Sequence, residues 1–356
     1  MDPRAATSTL RLAIRAPNWV GDLVMATPVL EAALSSERFR DVRVVVRARL
    51  SGLLSDGVAA AHLEPIASDA EEIGAYRRIA PDAVLLLTNS LGAAWRAWRA
   101  RVPERAGSAL SGRRLLLTRA LRPPSKEGRR LPTPTAELLR DVARLVGIET
   151  PDLHPRLAVR EEVRDLERLA LERAGLERGA AYALCCPGAS FGASKLWPPE
   201  RYASVLDELH RRRGWRAVVT GGPGEEALVR AVAERCEHRA IARVDETKGP
   251  DRMQSIGATQ GLEGLKALVS GSRILLGGDS GPRWIAAAFD VPCVSVMGPN
   301  FPEVTATSLE RAAIARVEGL ECAPCLRKTC PLGHHRCMQD LPPERVLELA
   351  LGVIGR

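Results

Sequence analysis

The sequence predicts an α/β protein built from two doubly wound parallel sheets, and three observations carry that expectation. Short runs of Val, Ile, Leu and Ala recur without the polar alternation of a half-solvated sheet, as in AVLLL at Ala83–Leu87; strands of this kind are buried on both faces. Segments of helical period alternate with them, the pattern of parallel strands joined by crossover helices. The alternation stops at the polar, proline-marked stretch Thr150–Pro155 and then restarts, so a 356-residue chain with 46% hydrophobic residues divides into two cores.

In the first half a strand is expected over Leu10–Arg15, followed by a helix starting near Asp22 in which Pro28 imposes a kink or a late start. Val42–Arg47 and Ala83–Leu87 are the next strands, Leu91–Ala100 is a helix, and Pro123–Pro134, rich in proline and charge, is an exposed loop. The second half opens with a helix at Glu161–Ala174. It continues with strands at Tyr182–Cys186, Trp215–Thr220, Arg239–Val244, Arg273–Leu276 and Cys293–Met297, separated by helices at Pro199–Arg213, Glu225–Cys236, Leu262–Ser270 and Gly281–Phe289. A last helix, Pro343–Ile354, follows an irregular cysteine-rich loop at 320–340. The boundary falls near 150–160, dividing a domain 1–155 from a domain 156–342, and no internal repeat is visible.

No apolar run is long enough to cross a bilayer, and the first residues carry Asp2, Arg4, Arg11 and Arg15 in place of the apolar core of a leader, so a cytoplasmic protein is expected. The net charge of +8 is uneven. Residues 96–130 hold eleven Lys and Arg against Glu104 and Glu127, an excess larger than that of the whole chain. Such a segment suits an anionic partner, a solvated arginine-rich face being the other reading. No aromatic residue lies within Ala100–Arg130, so the stacking platform of single-strand binders is missing and no nucleic-acid partner is expected.

Three strand-to-helix junctions carry chemistry. In NWVGDLV, Gly21 allows a sharp turn and Asp22 follows at a helix start, where the positive dipole end favours a carboxylate; it reads as an N-cap, a catalytic base, or both. In PGASFGASKLWPPERYASV, two glycines, two serines and Lys195 converge between a strand and a helix, which suits phosphate, although the spacing is not that of a Walker A loop. In LLGGDSGPRWIAAAF, a buried strand ends in two glycines and a helix begins at Asp279-Ser280-Gly281-Pro282, with amides of Ser280 and Gly281 available to an anion. Two anion-ready junctions in one domain point to a diphosphate.

These residues resemble the family nine glycosyltransferases, the bacterial heptosyltransferases of lipopolysaccharide core synthesis. The resemblance rests on NWVGDLVMATPVL, PGASFGASKLWPPERYA, GGDSGPRWIAAAFDVPCVSVMGPNFPEVT and ECAPCLRKTCPLGHHRCM, spread over most of the chain in the family's order. It implies a GT-B architecture: two Rossmann-like domains facing a central cleft, the first for the acceptor and the second for the nucleotide sugar, with the helix at 343–356 packing back on the first. The implied reaction is inverting transfer of L-glycero-D-manno-heptose from ADP-heptose to a heptose of the lipopolysaccharide inner core, with no cofactor required for the chemistry. Another nucleotide sugar or acceptor on the same fold, or a catalytically silent nucleotide-binding homologue, are the alternatives.

The resemblance also implies roles residue by residue. Asp22 matches the family's proposed base and Lys195 its diphosphate lysine, both assigned to catalysis. Ser190, Ser280 and Gly281 are placed to donate to the diphosphate, Asp279 to order the loop or touch sugar hydroxyls, and Glu225 or Glu226 to hold the ribose. Where the family usually carries histidine five residues after the aspartate, this sequence has Trp284, which packs on the nucleotide or sugar or belongs to the core. Arg113, Arg114 and Arg119 fall in the acceptor domain and are expected to face the anionic lipopolysaccharide core precursor. That would place a cytoplasmic enzyme in peripheral contact with the inner face of the inner membrane.

Cys322, Cys325, Cys330 and Cys337, with His334 and His335 among them, have a spacing that admits a structural zinc or iron–sulfur site, disulfide pairing, or reduced packing cysteines. Cys185, Cys186, Cys236 and Cys293 read as core residues.

Overall fold

The computed structural model describes residues 10–127, 129–243, 261–305, 307 and 311–355. Residues 1–9, read above for a leader, and Val244, the expected end of a strand, lie outside the described residues. The chain divides into two compact units, Met1–Ala158 with Glu303–Ser308, and Val159–Pro302 with Leu309–Arg356.

The first unit contains β1 (Arg11–Arg15), β2 (Asp41–Arg47), β3 (Leu63–Ile66), β4 (Ala83–Leu86), β5 (Glu104–Ser108) and β6 (Arg119–Leu121), joined in the order β3-β2-β1-β4-β5-β6. Every pairing in this sheet is parallel. Its helices are α1 (Val20–Met25), α2 (Thr27–Leu34), α3 (Asp69–Ile79), α4 (Leu91–Arg99) and α5 (Thr135–Arg144). Pro28 in the first turn of α2 explains the break at Ala26, since proline suits a helix start and disrupts a helix interior. Ser68 caps α3 by accepting from Glu71 N at 3.2 Å, and the Glu71 carboxylate reaches back to accept from Ala67 N, the residue before the cap, at 2.9 Å.

The sheet is covered on both faces. Ala13, Val45, Val84 and Leu86 pack on one side against Ala75, Tyr76 and Ile79 of α3 and Ala93, Ala94 and Ala97 of α4. Leu12 and Ile14, which alternate with Ala13, are equally buried on the other. Pro123–Pro134, expected as a plain loop, contains a short antiparallel ribbon of β7 (Ser125–Lys126) and β8 (Arg129–Arg130).

The second unit repeats the plan with β9 (Tyr182–Cys186), β10 (Arg216–Thr220), β11 (Ile241–Arg243), β12 (Ile274–Gly278), β13 (Cys293–Val296) and β14 (Ala312–Ala315) in the order β11-β10-β9-β12-β13-β14, again all parallel. Its helices are α6 (Glu161–Arg173), α7 (Pro199–Arg213), α8 (Glu226–Ala233), α9 (Gly261–Gly271), α10 (Pro282–Ala288), α11 (Arg336–Gln339) and α12 (Pro343–Ile354). Trp197 and Tyr202 meet edge to face at 4.8 Å in the core; burial of each large apolar side chain there contributes about 1.5–3 kcal/mol.

Helix α12 buries Val346, Leu347, Ala350 and Val353 in the core of the second unit, the same core that holds Tyr202, Leu206 and Leu209 of α7. The stripe at i, i+1, i+4 and i+7 completes the apolar cover of its own sheet.

Candidate active site

In each sheet the strand order reverses between two neighbours, β1 and β4 in the first unit and β9 and β12 in the second. Loops leaving such a pair diverge, and the crevice at their carboxyl ends is where doubly wound sheets bind ligands. Asp22 follows β1, Lys195 follows β9, and Asp279 follows β12. The candidate residues therefore sit at the two switch points.

At the first switch point Asp22 lies in the first turn of α1, half-buried, and the N-cap position belongs to Trp19. Asp22 is thus not the cap itself. The turn before it is anchored through Asn18, whose side chain accepts from Arg15 Nη2 at 2.8 Å and donates to Thr88 Oγ1, at the end of β4, at 3.4 Å. Arg49 donates to the Asn18 carbonyl at 2.8 Å. Arg15 is itself fully buried and pairs with Glu72 at 3.2 Å; Glu72 also receives Arg96 Nε at 2.9 Å, and Arg96 and Arg47 bind Asp69 at 2.9 and 2.6 Å. This network, buried at Arg15, Glu72 and Arg96 and drawn from β1, β2, α3 and α4, props the loop that carries Asp22, and motif reading missed it because its members are scattered along the chain.

At the second switch point Lys195, 8% exposed, donates from Nζ to Asp279 Oδ2 at 2.8 Å and to the Asp279 carbonyl at 2.9 Å. Its ammonium also lies 5.0 Å from the centre of the Phe191 ring, within cation–π range. Arg283, in the first turn of α10 and fully buried, holds Asp279 Oδ1 at 2.9 Å, and Asn300 donates to Oδ2. Burial pushes the Asp279 carboxyl up, but Arg283 and then Lys195 outweigh it and hold the group below the usual aspartate value. Arg283 and Asn300 are partners of Asp279 that the sequence signal did not single out. The i, i+4 spacing from Asp279 to Arg283 was the available clue.

Glu225 sits against the same loop. Its carboxylate accepts from Gly222 N at 2.8 Å, and a Cβ at Gly188 would lie 2.0 Å from it. Glycine at 188 is what lets that carboxylate reach the β9 loop, and burial raises its pKa. Glu226 instead closes its own turn, accepting from Gly224 N at 3.0 Å. Ser190 is exposed, and Ser280 and Gly281 are half-buried ahead of α10. Trp284 is 3% exposed, so it packs in the interior and is withdrawn from the expected set of donor contacts.

The cysteine-rich loop docks on this site. Ser194 N donates to Lys328 O at 3.0 Å, Ser194 Oγ donates to Arg327 O, and His335 Nε2 meets Ser194 O at 2.8 Å. Gly192 has φ +151, and a Cβ there would lie 2.5 Å from Lys328 O. The loop therefore braces the residues on either side of Ala193 and so the position of Lys195. Its four thiols are free and line a small apolar cavity with Ser194 and Pro299. Among the described residues no three His, Cys, Asp or Glu side chains gather closely enough to hold a metal ion, so the metal reading of Cys322, Cys325, Cys330 and Cys337 gains no support. Cys330 instead takes amides of His335, Leu332 and Gly333, which lower its pKa, while Cys337 packs on Gly298.

The three arginines expected to face the acceptor separate. Arg113 is fully buried, donating through Nε to Ser108 O at 2.8 Å, through Nη2 to Ser108 Oγ at 3.0 Å and through Nη1 to Thr88 O. Burial pulls its pKa down to about 10, so it remains a charged strut and offers nothing to a ligand. Arg119 is exposed yet tied to Glu104 at 3.0 Å and to the Leu145 carbonyl at 2.7 Å. Arg114 is exposed.

A family model described as glycosyltransferase family 9 (heptosyltransferase) matches residues 75–336. The chain belongs to glycosyltransferase family 9. This glycosyltransferase is 28% identical over 362 residues to lipopolysaccharide heptosyltransferase 2 of Salmonella typhimurium, an alignment covering 95% of this chain and 97% of the relative. Its match to lipooligosaccharide heptosyltransferase 2 of Campylobacter jejuni, 29% identical, spans about half of each, 47% of this chain and 49% of the relative. Among solved structures, a family 9 glycosyltransferase from Veillonella parvula superposes with a TM-score of 0.80 at 21% identity, covering 98% of both chains. ADP-heptose LPS heptosyltransferase II of E. coli does so with 0.74 at 22% identity, covering 97% of this chain and 98% of the other. The two six-stranded sheets of this glycosyltransferase thus share the GT-B fold of heptosyltransferases. Among the described residues no helix is long and apolar enough to cross a membrane.

Proposed function

We propose that this glycosyltransferase moves L-glycero-D-manno-heptose from ADP-heptose to a heptose of the lipopolysaccharide inner core, with inversion at the anomeric carbon. The reading is carried by one observation: in a chain related end to end to lipopolysaccharide heptosyltransferase 2, a carboxylate occupies one switch point and an ammonium the other. Asp22 removes the acceptor hydroxyl proton as that oxygen bonds to the anomeric carbon, while the bond from that carbon to ADP breaks on the opposite face and ADP leaves with the electron pair. Two of the three Lys195 ammonium hydrogens are engaged with Asp279, which leaves one for a diphosphate oxygen and holds it ready as charge grows there. Glu225, beside the same loop, is the candidate for the ribose hydroxyls. Arg114 and neighbouring cations receive the anionic core, and the lipid-linked acceptor brings the enzyme to the inner face of the inner membrane.

Incubation with ADP-heptose and a heptose-terminated core acceptor tests the reaction through release of ADP. Wild type is expected to release ADP and Asp22→Asn to be slower by about two orders of magnitude or more, the size of a lost general base. Undiminished release by the variant would remove Asp22 from the mechanism; no release by wild type with this pair would overturn the donor and acceptor assignment.

A further inference from the structure

Helix α4 is built inside out for a helix that only covers a sheet. Its inner face is alanine, Ala93, Ala94 and Ala97, packed without exposure against the first sheet. Its outer face carries the bulk: Leu91, Trp95 and Trp98, at i, i+4 and i+7, are 49%, 46% and 50% exposed. Beside it, the 3-10 turn Arg113–Leu116 sends Leu116 into the same core and leaves Leu115 94% exposed. Scattered exposed leucines need no explanation, but two tryptophans and a leucine on one face of a helix, with a fourth exposed apolar side chain on the turn packed beside that helix, are an apolar surface of the kind that marks an interaction site.

Charge says what covers it. Arg99 and Arg101 follow Trp98 closely in the chain, Arg114 precedes Leu115, and all three are exposed, with no carboxylate partner among the described residues. They belong to the segment whose positive excess is larger than that of the whole chain. Tryptophan suits the boundary between headgroups and acyl chains, and neighbouring arginines add attraction to anionic lipid. The patch also has a fixed relation to the site. Leu91 follows Ser90 directly, in the loop whose Thr88 holds Asn18 at 3.4 Å, so the apolar stripe starts at the edge that carries Asp22. Trp19, three residues before Asp22, is exposed at that edge as well.

We infer that the outer face of α4 with Leu115 is a membrane-docking surface that inserts Trp95 and Trp98 into the interface of an anionic phospholipid bilayer. The inference rests on the reading above only in that a lipid-linked acceptor gives the docking its use. Docking through this face holds the Asp22 edge of the first unit near the lipid surface.

The test is sedimentation of the full chain with phosphatidylcholine vesicles prepared with and without phosphatidylglycerol, read together with tryptophan emission. Wild type is expected to bind the phosphatidylglycerol vesicles at least about tenfold more than the neutral ones, with a blue shift of emission and loss of binding at high salt. Trp95→Ser/Trp98→Ser is expected to lose about tenfold of that binding and the shift, and Arg99→Glu/Arg101→Glu to lose the preference for anionic lipid. Both variants alter exposed side chains and should melt with wild type. Binding of the tryptophan variant equal to wild type overturns the inference, as does equal binding of wild type to both vesicle types. So does a dimer that the tryptophan substitutions dissociate, which would make a second copy the occupant. Vesicle binding needs no sugar nucleotide, so its failure is separable from failure of the transfer reaction.

Discussion

Lys195 holds Asp279 twice, at the carboxylate Oδ2 over 2.8 Å and at the backbone carbonyl over 2.9 Å. One ammonium thereby ties the loop after β9 to the loop after β12 across the switch point. The same contact orders the candidate site and holds an ammonium there, so on the proposed function stability and binding of the nucleotide sugar are coupled through one side chain.

Lys195→Met is therefore expected to act on both. Asp279 keeps Arg283 and Asn300, so the loss of stability should be about 2 kcal/mol by urea denaturation, under the cost of stranding a buried charge completely. ADP affinity, by calorimetry, should fall about tenfold or more. Unchanged affinity would place Lys195 among structural residues only.

The acid limb of stability should report Asp279. Its carboxyl is held below the ordinary value of about 3.9, so the stabilisation is fully present above that value and is lost as pH falls through the lower folded pKa. Asp279→Asn should be less stable at neutral pH and should show a shallower decline across the acid range. Parallel acid profiles for the two proteins would count against the ion pairs as the source.

Gly188→Ala places a methyl where the Glu225 carboxylate lies. Overpacking of this kind costs about 1–3 kcal/mol. In a Glu225→Ala background the same change should be nearly neutral, and thermal melts of the four proteins give the coupling directly. Additive effects would mean that the two residues do not meet.

Arg113 and Arg114 are neighbours with opposite fates. Arg113→Met should destabilise by about 3 kcal/mol or more, since Ser108 and Thr88 lose a buried charged donor. Arg114→Ala should leave stability within about 0.5 kcal/mol and raise KM for an anionic acceptor. Denaturation curves and acceptor kinetics on both variants separate strut from ligand.

Alkylation should find Cys330 first. Amides of His335, Leu332 and Gly333 lower its thiol, whereas burial pushes Cys337 up to about 11 and Cys186 to about 12. Brief iodoacetamide treatment near neutral pH followed by peptide mapping should show modification at Cys330 ahead of every other cysteine. Because the cysteine-rich loop braces Ser194, the alkylated protein should also bind ADP less tightly.

The buried strands and long amphipathic helices were legible because their signal is local: Tyr182–Cys186 is five apolar residues in a row and Pro199–Arg213 begins with proline and ends at Gly214 with φ +69. The short strands Leu63–Ile66, Glu104–Ser108 and Arg119–Leu121 were missed because strands containing proline, glycine or charge have no apolar run to announce them. The same difference separates the candidate site residues. Asp22, Lys195 and Asp279 stood out because each lies in a glycine-bearing junction between a strand and a helix.

By itself, then, the sequence determined the two doubly wound sheets, the junctions that carry the acids and the lysine, and the family through its ordered motifs. Only the tertiary structure decided which charges are tools and which are struts. Arg15, Glu72 and Arg96 lie far apart in the chain, and Arg113 carries the same side chain as Arg114. The strand order 3-2-1-4-5-6 in each unit brings distant loops together and sets the dielectric around each group, and that burial is what a residue's identity and spacing do not contain.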